Sequence, residues 1–383
     1  MLRVRRIQNL LAVVFISNLL SACSGGSGGI KGGAGEEAGT AATGGAAGSV
    51  GSAGAPGTNG AGGAAAGSGG SSGATGTAGA AGSAGEPEGG TTADGPSEQP
   101  SGGRAPRLTC PPGPFPAPVA GASQVVCANF NFKYNWNEGP TWIAGEKAFF
   151  FSHFVIHAAG PGDIIKYTPG GDCEAWVAGA GCNGLTANIN GNLVGACQTP
   201  RAVVEYDINT RQPKVLASMY NGQMLDSPND IVTHSNGTIY FTNPTFELGG
   251  RPQGVGPAIF RIDPMGTLIL IVKGGGQPNG ITLSADEKRL YAVGGGVWDV
   301  DVSGVPSNQR GGFPLNADGI STDCAGNIYL SGGQIISPDG KQIGTFPGGT
   351  MATFGGEDGK TLIVVFGAKG VRLVQMNIPG PAH

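Results

Sequence analysis

Five oxygen-bearing side chains recur at one position of a repeated pattern: Glu138, Asn183, Asn229, Asn279 and Asp318, with Met351 opening a sixth copy. If these positions converge in space, two carboxylates and three carboxamides would meet without a Cys or His among them. Such a donor set selects a hard cation. Ca²⁺ is favoured because it accepts carboxylate and amide oxygens in a flexible shell, whereas Mg²⁺ demands stricter octahedral geometry. Mn²⁺ and Zn²⁺ also bind such oxygens, Zn²⁺ being least expected without His. Two other readings stay open: Asn and Asp can open hairpins as Asx-turns with no metal, or a bound metal can serve only as a structural plug.

The elements that would bring these residues together follow from the repeat. Its copies start 45, 46, 50, 39 and 33 residues apart between 138 and 351. Each runs from a polar residue through an apolar pair to a turn rich in Gly, Asn or Asp and a β-branched or aromatic run, a hairpin signature. Further strands are expected at 163–167, 202–207, 258–263 and 371–376. Four strands in about 45 residues is the arithmetic of a propeller blade. Six blades fit residues 138–383, with a closing strand expected from 107–137. The expected fold is therefore all-β: a six-bladed β-propeller over 107–383, in which radial repetition places the opening residues around one end of the channel.

The rest of the chain is of another kind. Of its 383 residues 74 are Gly, with 30 of them in residues 24–106, where Ile30 and Val50 are the only large aliphatic side chains. A segment so poor in apolar surface cannot offset its ordering entropy, so 23–106 reads as a disordered Gly/Ala/Ser-rich linker with an r.m.s. reach of about 50 Å. No Gly-X-Y period supports collagen. Residues 1–22 have the form of an export signal, with Arg3, Arg5 and Arg6 before a short apolar run. That run is too short to span a bilayer permanently. Leu20-Ser-Ala-Cys23 resembles the bacterial lipobox, which implies lipidation at Cys23 and, with Ser24 next, an outer-membrane-anchored lipoprotein on the periplasmic or cell-surface face. The lipid would then be the sole membrane contact. A net charge of −4 with 13 % charged residues excludes nucleic acid as an electrostatic partner. A monomer is expected.

Six cysteines remain beyond Cys23, and export favours disulfides among them. Fifteen connectivities are open; proximity suggests Cys173 with Cys182 and Cys110 with Cys127, leaving Cys197 with Cys324. His153, His157 and His234 read as core or turn histidines, since no G-x-S-x-G elbow accompanies them. Arg201 reads as a strand-end ion-pair partner.

The words Glu138-Gly-Pro-Thr-Trp142, Ser227-Pro-Asn-Asp-Ile231, Thr242-Asn-Pro-Thr-Phe246, Gln277-Pro-Asn-Gly-Ile281, Ala317-Asp-Gly-Ile320 and Phe354-Gly-Gly356, in this order, resemble the gluconolactonase and senescence-marker-protein family of six-bladed propellers, which includes regucalcin. The resemblance covers about 130–380. It implies a divalent cation, usually calcium, at the channel mouth on Glu138, Asn229, Asn279 and Asp318, with Asn183 facing the same cavity. It also implies a carboxylic-ester hydrolase that opens a small-molecule lactone. A cation so held keeps Lewis acidity for an ester carbonyl and its developing oxyanion. Asp318 is the candidate general base. Asp230 is a second candidate facing substrate, unless it points into its blade as a hydrogen-bond acceptor. The chain departs from the family at Ser227, where some relatives carry Arg, at Asn243 and His153, where many carry Asp, and at Met351 in place of Asn; these departures imply a less polar or differently shaped lactone. The competing reading is a non-catalytic, calcium-stabilised propeller that binds glycan or protein at the cell envelope.

Overall fold

A computed structural model describes residues 109–381 apart from 275, 312 and 368–369. The expected signal peptide, Cys23 and the linker lie outside the described residues. Six four-stranded antiparallel sheets surround the channel, and in the first five the chain runs from the channel outwards. Blade 1 holds Trp136–Ile143, Ala148–Phe154, Gly162–Tyr167 and Cys173–Val177, and blade 2 holds Cys182–Ala187, Leu193–Cys197, Ala202–Tyr206 and Pro213–Ala217. Blades 3, 4 and 5 open with Ile231–Thr233, Ile281–Leu283 and Ile320–Thr322. The four expected third strands are present to within one residue. A two-stranded hairpin, Met219–Tyr220 with Gln223–Met224, is inserted between blades 2 and 3.

Blade 6 is composite, as expected of a closing strand. Met351–Gly355, Thr361–Phe366 and Gly370–Met376 come from the end of the chain, and its outermost strand is Ala120–Val125. Pairing of Val125 with Arg372 and Ser123 with Val374 joins the two ends of the propeller. Asn377 extends the seam: its Oδ1 accepts from Val119 N at 2.7 Å and its Nδ2 donates to Ala117 O at 2.8 Å. Closure of the ring turns the inner sheet edges towards the channel and leaves only short outer edges facing solvent.

Burial explains why these runs are strands. Every residue of Ala148–Phe154 is buried, whereas the outer strand Pro306–Arg310 is almost wholly exposed. The second strands of the blades are covered on both faces by neighbouring blades, so they are rich in large apolar residues; the outer strands face water. The core is accordingly divided into six layers, one between each pair of blades. Between blades 1 and 2, for example, Phe150, Ile164 and Trp176 pack on Leu185, Leu193 and Val204, and between blades 6 and 1 Ile363, Val365 and Val371 meet Trp142, Phe149 and Phe151. The described residues hold one short helical turn, Ala144–Glu146, and no helix long and apolar enough to cross a membrane.

The disulfides correct the proximity argument in all three pairs: they are Cys110–Cys324, Cys127–Cys173 and Cys182–Cys197. Cys173 opens the outermost strand of blade 1 and Cys182 the innermost strand of blade 2. Nine residues of sequence thus cross the full width of a sheet. Cys182 instead faces its cross-strand partner Cys197, Cys127 reaches the outer edge of blade 1, and Cys110 is tied to the first hairpin turn of blade 5. Because Cys110–Cys324 spans 214 residues, it removes the most unfolded-state entropy, about 5 kcal/mol against about 3 kcal/mol for a 15-residue loop. Serine at both Cys110 and Cys324 is expected to lower the unfolding free energy by more than serine at both Cys182 and Cys197. Denaturant midpoints followed by tryptophan fluorescence check this, and equal losses would contradict it.

Candidate active site

The connections that start each blade meet at one end of the channel and are stitched to one another. Gly184 N donates to Asn229 O at 2.6 Å, Gly280 N to Asp318 O at 2.8 Å and Gly319 N to Thr350 O at 3.1 Å. Thr350 Oγ1 continues the circuit to Asn137 O at 2.8 Å. Between blades 3 and 4 a side chain makes the link: Asp230 Oδ2 accepts from Ile281 N at 2.8 Å. Glycine is required where these backbones touch. A Cβ on Gly184 would lie 2.6 Å from Asp230 Oδ1 and 2.7 Å from Asn229 O, and one on Gly280 would lie 2.6 Å from Asp318 O.

This stitching places five of the six opening residues on one cleft. Glu138, Asn183, Asn229, Asn279 and Asp318 all line a cavity of ≈ 420 Å³. Met351, the sixth, is buried and lines the narrow channel beneath it. Within the cleft, Asn279 Nδ2 donates to Asp318 Oδ1 at 2.7 Å, and Trp136 Nε1 to Glu138 Oε1 at 3.4 Å. Asn183 Nδ2 donates to Gln198 Oε1 at 3.4 Å, leaving the Asn183 oxygen for the cleft.

The electrostatics are lopsided. Burial pushes the Glu138 carboxyl well above the usual carboxylate range, and the charges of Asp318 and Asp230 push it further. Burial also raises Asp318, against the opposing effect of its hydrogen bond from Asn279. None of the cleft-lining residues is Lys or Arg. Carboxylates crowded together out of water need a positive charge. Two carboxylates and three amide oxygens facing the same space are suited to a hard divalent cation, so Glu138, Asn229, Asn279 and Asp318 could hold one, with Asn183 beside it.

Other expected residues fall elsewhere. Asp230 does not line the cleft: its Oδ1 accepts from Ile231 N at 2.9 Å and its Oδ2 from Ile281 N, the arrangement of a blade-start acceptor rather than a substrate contact. Burial takes its pKa up to about 7. His153 is 1 % exposed and structural. Its Nε2 accepts from Tyr134 N at 2.7 Å, so Nδ1 carries the proton and donates to Asn137 Oδ1 at 2.8 Å. His234 lies in a hairpin turn, its backbone N–H donating to Thr238 O. Arg201 is turned inwards, with Nη1 on Pro252 O at 3.0 Å and Nη2 3.4 Å from Asp226 Oδ1. Ser227 Oγ donates to Pro244 O at 2.9 Å, and Asn243 braces Asp226 N and Gly256 O. The departures at 227 and 243 thus serve the base of a loop, 244–256.

That loop carries residues the repeat could not reveal. Glu247 is 3 % exposed and lines the cleft. Its Oε1 lies 3.7 Å from His157 Nδ1, its Oε2 is buried without a hydrogen-bond partner, and burial raises its pKa. The residues Phe246, Phe154, Ile156, His157 and Trp136 complete much of the wall. Arg251 pins the loop to blade 2, donating to Thr199 O at 2.7 Å, Gln198 O at 2.8 Å and Glu247 O at 3.0 Å. All of these lie outside the repeated position. The sole hint was Glu247 directly following the word that ends at Phe246.

Residues 136–367 match the family model of the SMP-30/Gluconolactonase/LRE-like region. The chain is 29 % identical over 277 residues to the gluconolactonase of Zymomonas mobilis, covering 60 % of this chain and 75 % of that one. It is 26 % identical over 257 residues to the pentonolactonase XacC of Haloferax volcanii, covering 59 % and 80 %. Among solved structures, a gluconolactonase of Xanthomonas campestris shares the fold with a TM-score of 0.58 at 21 % identity, over 72 % of this chain and 99 % of that one.

The stitched mouth makes a direct prediction. Gly184→Ala is expected to cost about 1–3 kcal/mol, because the added methyl meets backbone that cannot move freely. Gly311→Ala, where a Cβ would meet nothing within 4 Å, is expected to stay within about 0.5 kcal/mol of wild type. Chemical denaturation of the two variants distinguishes them.

Proposed function

The chain belongs to the SMP-30/Gluconolactonase/LRE-like family, and from that premise we propose that it is a carboxylic-ester hydrolase that opens a lactone in a metal-dependent reaction. The observation that carries this reading is the convergence of Glu138, Asn183, Asn229, Asn279 and Asp318 on a single cleft that has no Lys or Arg of its own. Two lactonases among the relatives support the substrate class.

A divalent cation, Ca²⁺ by preference with Mg²⁺, Mn²⁺ or Zn²⁺ as alternatives, held by Glu138, Asn229, Asn279 and Asp318, would supply Lewis acidity toward the lactone carbonyl when bound. The protein does the rest. Asp318 is the proton carrier: its carboxylate takes a proton as water adds to the carbonyl carbon, and returns one to the ring oxygen as the ring C–O bond breaks. One water is consumed and one hydroxy acid released. Asn279, through its 2.7 Å hydrogen bond, fixes which oxygen of Asp318 is left for that proton. Asn183, oriented by Gln198, offers an amide oxygen to the same cleft, where it can position a substrate hydroxyl or ring. Glu138, set between Trp136 Nε1 and Gly139 N, is held in place as a ligand rather than a base.

The propeller's setting is also part of the proposal. An export signal over 1–22, lipidation at Cys23 and a flexible linker to residue 106 would tether the enzyme to the outer membrane.

Two outcomes are expected. Chelator abolishes lactone hydrolysis by the full chain without unfolding it, Ca²⁺ restores it, and Asp318→Asn lowers kcat/KM at least about 100-fold; titration of the released acid checks this, and turnover unaffected by chelator or by Asp318→Asn would overturn the mechanism. Cys23→Ser moves the protein from the membrane to the soluble fraction of a bacterial host, and unchanged membrane recovery would overturn the tether.

A further inference from the structure

The lactone cleft is lined by two unlike sets of residues. One is the oxygen donors described above. In the other, Trp136 and Phe154 are cross-strand partners in blade 1, and Ile156 follows two residues later. Phe246 arrives from the loop of blade 3. Glu247, next in sequence, places Oε1 3.7 Å from His157 Nδ1, and a Cβ on Gly249 would lie 2.5 Å from Ala159 N, so this loop reaches back to blade 1 and brings Phe246 to that side. All four apolar residues line the cleft with the donors.

Three of the side-chain N–H donors at the cleft are engaged within the protein, which leaves Glu247 Oε2, buried without a hydrogen-bond partner, and the exposed His157 among the groups open to a substrate hydroxyl. Trp136 Nε1 is given to Glu138, Asn183 Nδ2 to Gln198 and Asn279 Nδ2 to Asp318. The guanidinium of Arg201 and that of Arg251 are spent on backbone carbonyls, and the Ser227 hydroxyl is spent on Pro244 O. A polyhydroxylated lactone would bury hydroxyls against Phe154, Ile156 and Phe246 without partners, a loss that a substituent of carbon and hydrogen does not suffer. An apolar substituent there would remove both itself and the aromatic wall from water.

We infer that the preferred substrate is a lactone carrying an alkyl or aryl substituent, its carbonyl directed to the donor ring and its substituent lying on the wall formed by Trp136, Phe154, Ile156 and Phe246. This rests on the lactonase reading and narrows it. Phe246 is about one-third exposed, so it can be replaced without opening the core.

The test is a kinetic panel on the full chain with Ca²⁺, using glucono-δ-lactone, δ-decalactone and dihydrocoumarin, each corrected for spontaneous hydrolysis. The expected result is a kcat/KM for δ-decalactone or dihydrocoumarin at least about tenfold above that for glucono-δ-lactone. Phe246→Ala should shrink that ratio several-fold, and Phe246→Leu should largely restore it. Glucono-δ-lactone turned over as fast or faster would overturn the inference while leaving the lactonase reading intact. If no lactone is turned over, the lactonase reading fails. Calorimetric binding of the ring-opened acids then decides the inference separately: tighter 5-hydroxydecanoate upholds it and tighter gluconate overturns it.

Discussion

The inter-blade circuit of hydrogen bonds at the channel mouth is the constraint on which both fold and site depend. Asn229 and Asp318 use their main-chain carbonyls to receive Gly184 and Gly280 of the preceding blades, while their side chains face the cleft. One residue thus joins two blades and contributes a donor. The glycines are part of the same device, because any Cβ at 184 or 280 would strike the backbone it must approach. Between blades 3 and 4 the role passes to the Asp230 carboxylate, whose two oxygens serve Ile231 and Ile281. Packing alone would allow blades to slide over their apolar layers; these directional bonds set their height and so the height of the donors.

With the backbone fixed there, the electrostatic character of the cleft follows. Glu138 and Asp318 are brought together and away from water, and burial raises both. The basic residues nearby are committed to a different task. Arg251 clamps the 244–256 loop onto blade 2, and Arg201 with Asp226 fastens its far end, where Asp226 accepts from Gly254 N and Gly256 N at 2.6 Å each. The loop that shapes the apolar wall is therefore held by the cations that the donor ring lacks. The cleft itself is left with carboxyl groups and no Lys or Arg among its lining residues.

Residues that obey the repeat could be read without coordinates, and residues that do not could not. The period carried the blade count, the positions of the hairpins and five cleft donors, because radial symmetry turns equal sequence position into equal height and radius. The closing strand was anticipated only as lying within 107–137; its pairing with Gly370–Met376 depends on the two ends of the chain meeting. The cysteine pairs failed for a related reason: sequence distance along a blade is not spatial distance, since Cys173 and Cys182 lie at opposite edges of adjacent sheets. Asp230 stands beside a donor yet points into the blade, a choice made by two backbone N–H groups that no spacing reveals. Phe246, Glu247 and His157 sit on loops specific to single blades and carry no periodic signal.

The account stands on a divalent cation at the donor ring, and Trp136 offers a direct probe of it, since its indole donates to Glu138 Oε1. Terbium luminescence excited through tryptophan should report an ion at this position. The account predicts one Tb³⁺ per chain, with emission displaced by Ca²⁺, lost in the Glu138→Gln, Asp318→Asn double variant and sharply reduced in Trp136→Phe. Emission that is absent in the wild type, or that survives the double variant unchanged, would contradict it.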